Sequence, residues 1–305
     1  MLNEIEIDVV IPVFNGERYI EEAIISVLSQ SSLPKKLIVI NDGSTDNTRD
    51  IVEKLFQFYE GLVETVLYSQ PNSGLSSARN SGIRLSQAPY IAFLDADDLW
   101  NPEKLKEQKR VFVDSEIPNL GLVYCAYQHI DQNGDVLNEL PIVPIHKDIR
   151  GDVFEKIQQF NLVVSSGSGV LIKRACFEKV GCFDESLKAF EDWDMWLRIS
   201  ECFGFDFTET SLVKIRRHAD SMQADSTHMN RNALLFYKKW ILKIDNRSAL
   251  REWAFNIGKY VLKPTYSKER EREVRLFFSR DELYKLYKKF NGSLSLYLCF
   301  KKIIG

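Results

Sequence analysis

The chain has 305 residues, 45% apolar and 27% charged, a composition that fits a folded globular protein and argues against a disordered or low-complexity one. A core of ordinary size needs no staple. Five scattered cysteines without a C-x-x-C pair, beside only four histidines, argue against a zinc site and predict reduced thiols. The net charge of −3 hides an asymmetry: from Arg231 onward 18 Lys/Arg stand against 7 Asp/Glu, so an acidic body is followed by a basic tail.

Ile5 to Val13 is a dense β-branched run and predicts a buried strand. Glu17 to Gln30 carries Ile20, Ile24, Val27 and Leu28 at helical spacing. A second strand is predicted over Leu37 to Ile40, a helix capped by Asp46 as far as Tyr59, and a third strand over Leu62 to Tyr68. A third helix follows over Leu75 to Ser86, then a fourth strand over Tyr90 to Leu94. This alternation predicts an α/β, doubly wound sheet, in which ligands bind beyond the carboxyl ends of the strands. Polar clusters stand at those ends: Asn15, then Asn41-Asp42-Gly43, then Asp95-Ala96-Asp97-Asp98.

After Pro102 a charged helix runs to about Val113. Leu122 to Ile130 and Val136 to Leu140 flank Gln132-Asn133-Gly134, a hairpin signal. A short helix is expected over Gly151 to Phe160, strands over Gly169 to Ile172 and Leu212 to Arg216, and a Trp-rich helix over Asp192 to Phe203. Beyond about Asp225 the pattern is helical, basic and aromatic.

The strand-end acids carry the chemistry. Asp95 and Asp97 flank one small residue, and two carboxylates aimed into one space repel unless a cation neutralises them. Oxygen ligands of this kind select Mg²⁺ or Mn²⁺, and the ion would stabilise a departing diphosphate. The plainer alternative is a solvated acidic turn. Asp42 stands where a carboxylate can accept from a base or ribose, or close a turn. The stretch Pro71-Asn72-Ser73-Gly74 opens a helix whose free N–H groups suit an anion, with Arg79 one turn in, either as a phosphate contact or as a surface residue.

Four segments together resemble glycosyltransferase family 2: I-P-V-F-N-G-E-R-Y-I-E-E-A-I, N-D-G-S-T-D-N-T, N-S-G-L-S-S-A-R-N-S-G-I and Y-I-A-F-L-D-A-D-D-L-W. The resemblance spans about residues 5 to 218 in family order. It implies a GT-A (Rossmann-like) mixed sheet and an inverting, single-displacement transfer from a nucleotide sugar, a UDP-sugar first. On matching positions Pro12, Phe14 and Glu17 would line the nucleotide pocket. Asp42 would bind the base, Arg79 would lie near the nucleotide, and Asp95 would contact ribose or metal. Asp97 would ligate Mn²⁺ or Mg²⁺, with His218 of the Arg216-Arg217-His218 segment approaching the ion. Asp192 in Glu191-Asp192-Trp193 would be the general base. Its place at a helix start lowers its pKa, which burial against Trp193 and Trp196 would oppose. Ser166 and Gly167, with Glu191 and Trp193, would stand beside the donor sugar and acceptor.

The expected organisation is a GT-A catalytic domain over 1–225, with a nucleotide half at 1–100 and an acceptor half at 101–225, and a basic helical appendage over 226–305. The acceptor would be a saccharide or lipid-linked saccharide in surface polysaccharide or glycolipid synthesis. The family's processive Q-x-x-R-W segment is missing after Asp192. The alternative function is a non-catalytic nucleotide-sugar-binding scaffold of a polysaccharide-assembly complex, which would not need a base. A sugar nucleotidyltransferase would want a Gly-rich basic phosphate loop where Asn15-Gly16-Glu17 stands. No secretory or membrane-spanning pattern is found, so a cytoplasmic location is expected. The segments Leu234 to Ile241, Leu283 to Phe290 and Leu294 to Gly305 suit either contact with the inner membrane face or packing on the body. No nucleic-acid motif is present.

Overall fold

The computed structural model describes residues 5–137, 140–143, 149–218 and 226–241, together with Lys243, Ala249 and Trp253. The first strand, β1 (Ile7–Val13), is wholly buried. Its odd-numbered side chains Ile7, Val9, Ile11 and Val13 join one core with Ile20, Ala23, Ile24 and Val27 of α1 (Ile20–Leu28). The opposite face meets α3 (Leu75–Leu85), where a Cβ on Gly82 would lie 2.2 Å from Val10 Cγ1. A glycine there lets the helix backbone rest on the strand.

Parallel pairing sets β2 (Lys36–Asn41) beside β1 and β3 (Glu64–Ser69) beside β2, with α2 (Thr48–Phe58) between them in sequence. On the other side β1 pairs in parallel with β4 (Tyr90–Phe93). The second half of the sheet adds β5 (Leu99–Trp100), β6 (Leu120–Ile130), β7 (Leu171–Lys173) and β8 (Gly204–Arg216). Spatial order is β3-β2-β1-β4-β7-β6-β8-β5, eight strands in one mixed sheet. The antiparallel pairs are β4–β7, β6–β7 and β5–β8, and β6–β8 is parallel with bulges. The remaining helices are α4 (Lys104–Asp114), α5 (Phe154–Ile157), α6 (Arg174–Val180), α7 (Glu191–Ser200) and α8 (Ser226–Ile241).

The switch in strand order lies between β1 and β4, where β1 outlasts its neighbour. Leu94 N–H donates to the Val10 carbonyl on the β4 side, and the last pair there is Val10 with Phe93. Pro12, two residues on, points its missing donor the same way, past the end of β4, so no ladder bond is lost. The chain therefore splays open at this end of the sheet, where α/β folds place ligands.

Several expectations change. Val136 to Leu140 is not a strand among the described residues: the turn forms, with Asp131 N–H donating to the Asp135 carbonyl, but only isolated bridges such as Ile130–Val136 follow. The stretch before β7 is a single 3-10 turn, Gly167–Gly169, rather than part of a strand. β5 and α6 were not anticipated, and β8 begins at Gly204 rather than Leu212.

The chain divides into two compact units, Met1–Phe154 with Asn161–Ser221, and Glu155–Phe160 with Met222–Gly305. In the second, Phe236 and Tyr237 of α8 pack on Trp253, with ring centroids 5.4 and 5.2 Å apart. The expected segments Leu283 to Phe290 and Leu294 to Gly305 lie outside the described residues. Among those described, no helix is long and apolar enough to cross a membrane. Cys125, Cys176, Cys182 and Cys202 are free thiols.

The close approach of α3 to β1 makes a prediction. Gly82→Ala should destabilise the chain by about 1–3 kcal/mol through overpacking against Val10. Urea denaturation measures this, and a midpoint equal to that of the parent would show that the contact yields freely.

Candidate active site

Three loops at the open end of the sheet are sewn together by side chains. Asn15, at φ 49°, accepts from Thr45 N–H through Oδ1 at 2.8 Å, and its own N–H donates to Ser44 Oγ at 2.9 Å. Glu17 Oε2 accepts from the backbone and side chain of Asn47 at 3.0 and 2.7 Å. Asp46 accepts from Thr48 N–H and from Glu17 N–H, but the N-cap of α2 is Asn47, one residue later than expected. These bonds fix the β1–α1 turn on the β2–α2 turn. Phe14 stands beside them with 51% of its surface exposed, whereas Pro12 is buried within β1.

Asp42 is 3% exposed and closes the β3–α3 loop. Its Oδ1 accepts from Gln70 Nε2 at 2.7 Å and Ser73 N–H at 3.0 Å, and its Oδ2 accepts from Gly74 N–H at 2.7 Å. An ionised carboxylate has about four lone-pair sites, so three are engaged and one remains.

Arg79 is the largest surprise. It is 1% exposed, and its guanidinium spans two acids: Nη2 donates to Asp95 Oδ1 at 2.7 Å, and Nη1 to Glu191 Oε1 at 2.9 Å. Of the two sequence readings, nucleotide contact or surface residue, burial removes the second; both terminal nitrogens are held by carboxylates. Burial works against its charge, but Asp95 and Glu191 outweigh that and raise its pKa. Gly167 faces it directly, since a Cβ there would lie 2.8 Å from Nη2. Breaking such a buried pair leaves uncompensated charge, which costs about 3–5 kcal/mol.

Glu191 and Asp192 open α7. Phe190 before them has φ 64°, a left-handed conformation unusual for a bulky residue, which turns the chain so that Glu191 meets Arg79. Burial, opposed by Arg79 and helped by Asp192, pushes Glu191 up to about 7. Asp192 Oδ1 accepts from Trp193 N–H at 2.6 Å. Burial raises the Asp192 pKa although Trp193 N–H and Arg79 favour its charged form, so desolvation wins over the helix start. Trp193 and Trp196 are both buried, at 8% and 0% exposure.

The Asp95–Asp98 turn divides its acids. Asp97 Oδ2 lies 3.0 Å from His218 Nε2, bringing two of the expected metal residues together. Asp95 faces Arg79 instead, and among the described residues no group of three or more His, Cys, Asp or Glu side chains is arranged to hold a metal ion. Of the expected trio, Asp97 and His218 meet directly, while Asp95 turns to the guanidinium of Arg79. Burial and the nearby Asp95 raise the Asp97 pKa, while His218 lowers it.

Asp98, Ser168 and Arg216 support this turn; Ser168 belongs to the loop expected beside the donor sugar, and Asp98 and Arg216 have no role assigned from sequence. Asp98 Oδ2 accepts from Ser168 Oγ at 2.5 Å, and its Oδ1 from Arg216 N–H at 3.0 Å. Ser168 Oγ also accepts from Asp95 N–H at 3.1 Å. The Arg216 side chain donates to the Asp97 carbonyl at 2.8 Å and to Glu22 Oε2 at 2.8 Å, and lies over the Tyr19 ring. The third Asp of D-A-D-D and the Arg two positions before His218 were the available signals. Ser166 precedes the turn with φ 54°, a second strained residue at this site.

The fold and this cluster define a GT-A type α/β protein with acids gathered at a sheet switch point. The chain matches the model of glycosyl transferase family 2 over residues 8–181. It is 30% identical to an uncharacterized glycosyltransferase of Rickettsia typhi, over 98% of this chain and 86% of that protein. It superposes on Staphylococcus aureus TarS in complex with UDP-GlcNAc with a TM-score of 0.70, at 18% identity, over 98% of this chain and 88% of that one. It also superposes on a mannosyltransferase of Pyrobaculum calidifontis in complex with GDP-Man and Mn²⁺, with a TM-score of 0.59 at 16% identity over 98% and 85%. The chain belongs to glycosyl transferase family 2 and is a glycosyltransferase.

The raised Asp192 carboxyl gives a pH prediction, on the hypothesis that Asp192 acts as a base. A base works ionised, so kcat/KM should fall with acid, with its ascending limb above the ordinary Asp value of 3.8. Asp192→Asn should keep donor binding and lose at least about 100-fold in transfer. Near-normal turnover of that variant would remove Asp192 from the role.

Proposed function

We propose that the chain transfers a sugar, with inversion, from a nucleoside-diphosphate sugar, a UDP-sugar first, to a hydroxyl of a saccharide or lipid-linked saccharide. The observation that carries this reading is the bridge from Asp95 through Arg79 to Glu191, which gathers the strand-end acids and the helix-start acids around one guanidinium. On this reading residues 1–100 hold the nucleotide and 101–225 the acceptor.

The nucleotide side is rigid. Asp42 keeps one lone-pair site for a base N–H after closing its loop, and the exposed ring of Phe14 offers a face for stacking. Glu17 fixes the wall between the first two loops. Asp95 lies next to Arg79 for a ribose or phosphate-linked contact.

A divalent cation fits Asp97 and His218. Asp97 Oδ2 and His218 Nε2 stand 3.0 Å apart, in direct hydrogen-bond contact, and are the oxygen and nitrogen donors that would face a shared cation. Burial and Asp95 disfavour charge on Asp97 while His218 favours it, and a cation there would offset the first two. Asp97 and His218 would hold Mn²⁺ or Mg²⁺, with substrate phosphates and water filling the remaining positions. When bound, the ion supplies Lewis-acid stabilisation to the diphosphate leaving group.

At the acceptor side Asp192 takes the proton from the attacking hydroxyl. That oxygen forms a bond to the anomeric carbon as the bond to the diphosphate breaks, and the nucleoside diphosphate departs. Single displacement inverts the centre. Arg79 holds Glu191 beside the base, and Ser166 and Gly167 shape the wall next to the donor sugar. Trp193, buried next to the base, excludes water.

The test is nucleotide binding by calorimetry. UDP should bind the parent chain at least about tenfold more tightly with Mn²⁺ than without, the equivalent of about 1.4 kcal/mol. Asp97→Ala should lose that difference. A parent indifferent to Mn²⁺, or a variant that keeps the full effect, would dismiss the metal assignment.

A further inference from the structure

The turn Gly167–Gly169 has two faces, and only one belongs to the site described above. On that face Gly167 lies against the Arg79 guanidinium and Ser168 Oγ bonds both Asp95 N–H and Asp98 Oδ2. On the other face the carbonyls of three successive residues are each met by a buried side chain. Trp100 Nε1 donates to the Ser168 carbonyl at 2.8 Å, Gln108 Nε2 to the Gly169 carbonyl at 2.7 Å, and Lys104 Nζ makes a long 3.5 Å contact with the Val170 carbonyl.

These three side chains also hold one another. Lys104 Nζ donates to Gln108 Oε1 at 2.8 Å and lies 3.9 Å from the centre of the Trp100 ring. Trp100 is 4% exposed, and Lys104 and Gln108 are 0% exposed. Among the described residues no carboxylate pairs with Lys104, and burial lowers its pKa to about 7. Gln108 Nε2 reaches the Val123 carbonyl as well, which ties α4 to β6. The turn they hold is itself tight: a Cβ on Gly169 would sit 1.7 Å from Ser165 Oγ, and Ser166 is at φ 54°. Such a turn keeps its shape only where its surroundings over-determine it.

We propose that Trp100, Lys104 and Gln108 are positioning residues for donor binding, forming a brace that holds the Ser166–Val170 turn from behind and so places Asp95 and Asp98 through Ser168. This rests on the proposed nucleotide-sugar chemistry of the same site. None of the three touches the nucleotide side of the cleft; they act through the turn. Precision of this kind matters because site groups need placing within about half an ångström.

The test uses the full chain with two variants. Trp100→Phe keeps an aromatic face for Lys104 and removes the donor to Ser168, together with ring volume whose loss the thermal midpoint reads. Gln108→Glu keeps an acceptor for Lys104 and removes the donor to the carbonyls of Gly169 and Val123. The readouts are the UDP dissociation constant with Mn²⁺, the donor KM, the acceptor KM, kcat and the thermal midpoint. The brace predicts a five- to tenfold weaker UDP affinity and higher donor KM in each folded variant, with the acceptor KM unchanged. A merely structural role would lower kcat in step with the folded fraction and leave both KM values alone, and that result overturns the proposal. If Gln108→Glu does not fold, Trp100→Phe decides it alone: parent-like UDP affinity and donor KM there also overturn it. A parent chain that binds no UDP with or without Mn²⁺ fails at the level of the proposed function and takes this inference with it.

Discussion

A buried guanidinium between two carboxylates organises the open end of the sheet. Arg79 is withdrawn from solvent and holds Asp95 on one side and Glu191 on the other. Four acids, Asp95, Asp97, Glu191 and Asp192, approach one another from opposite halves of the chain, and like charges in a partly dry cleft repel strongly. One fixed positive charge makes their convergence tolerable. Local backbone choices serve that placement: Gly82 lets α3 settle on β1, Gly167 clears space for the guanidinium, and Phe190 takes a left-handed conformation that sends Glu191 toward it.

From this centre the structure reads as two preorganised sides. At the β1–α1, β2–α2 and β3–α3 turns, Asn15, Glu17, Asp42 and Asp46 make hydrogen bonds that set the loop shapes. Fixed dipoles and donors of this kind need not reorganise during reaction. At the start of α7, burial holds the Asp192 carboxyl above the ordinary aspartate value. Asp97 and His218 lie between, supported by Arg216, which anchors the turn to α1 through Glu22.

The first half of the fold was legible because its elements are local. Alternating runs of β-branched residues and 3.6-residue periodicity marked β1 to β4 and α1 to α3 within a few residues. The second half was less so. β5 has two residues and exists only through its pairing with β8, and the bulged β6–β8 ladder hid the start of β8. In the site, short motifs pointed to Asp97 and His218, which do meet. They could not show that Arg79 is buried, since its partners are Asp95, nearby in sequence, and Glu191, which is not. Helix α4 looked like a charged helix after Pro102, yet Lys104 and Gln108 are among its most buried residues. Charge composition reports on average exposure, and a few inward positions escape it.

The central claim is that Arg79 and the surrounding acids form one electrostatic unit, and the titration of Glu191 tests it most directly. Carbon-13 NMR of the labelled Glu191 carboxyl, in the parent and in Arg79→Gln, reads this without reference to activity. The account predicts titration near 7 in the parent and a higher value in the variant, because the guanidinium that favours the ionised form is gone. An ordinary glutamate titration in both proteins would contradict it.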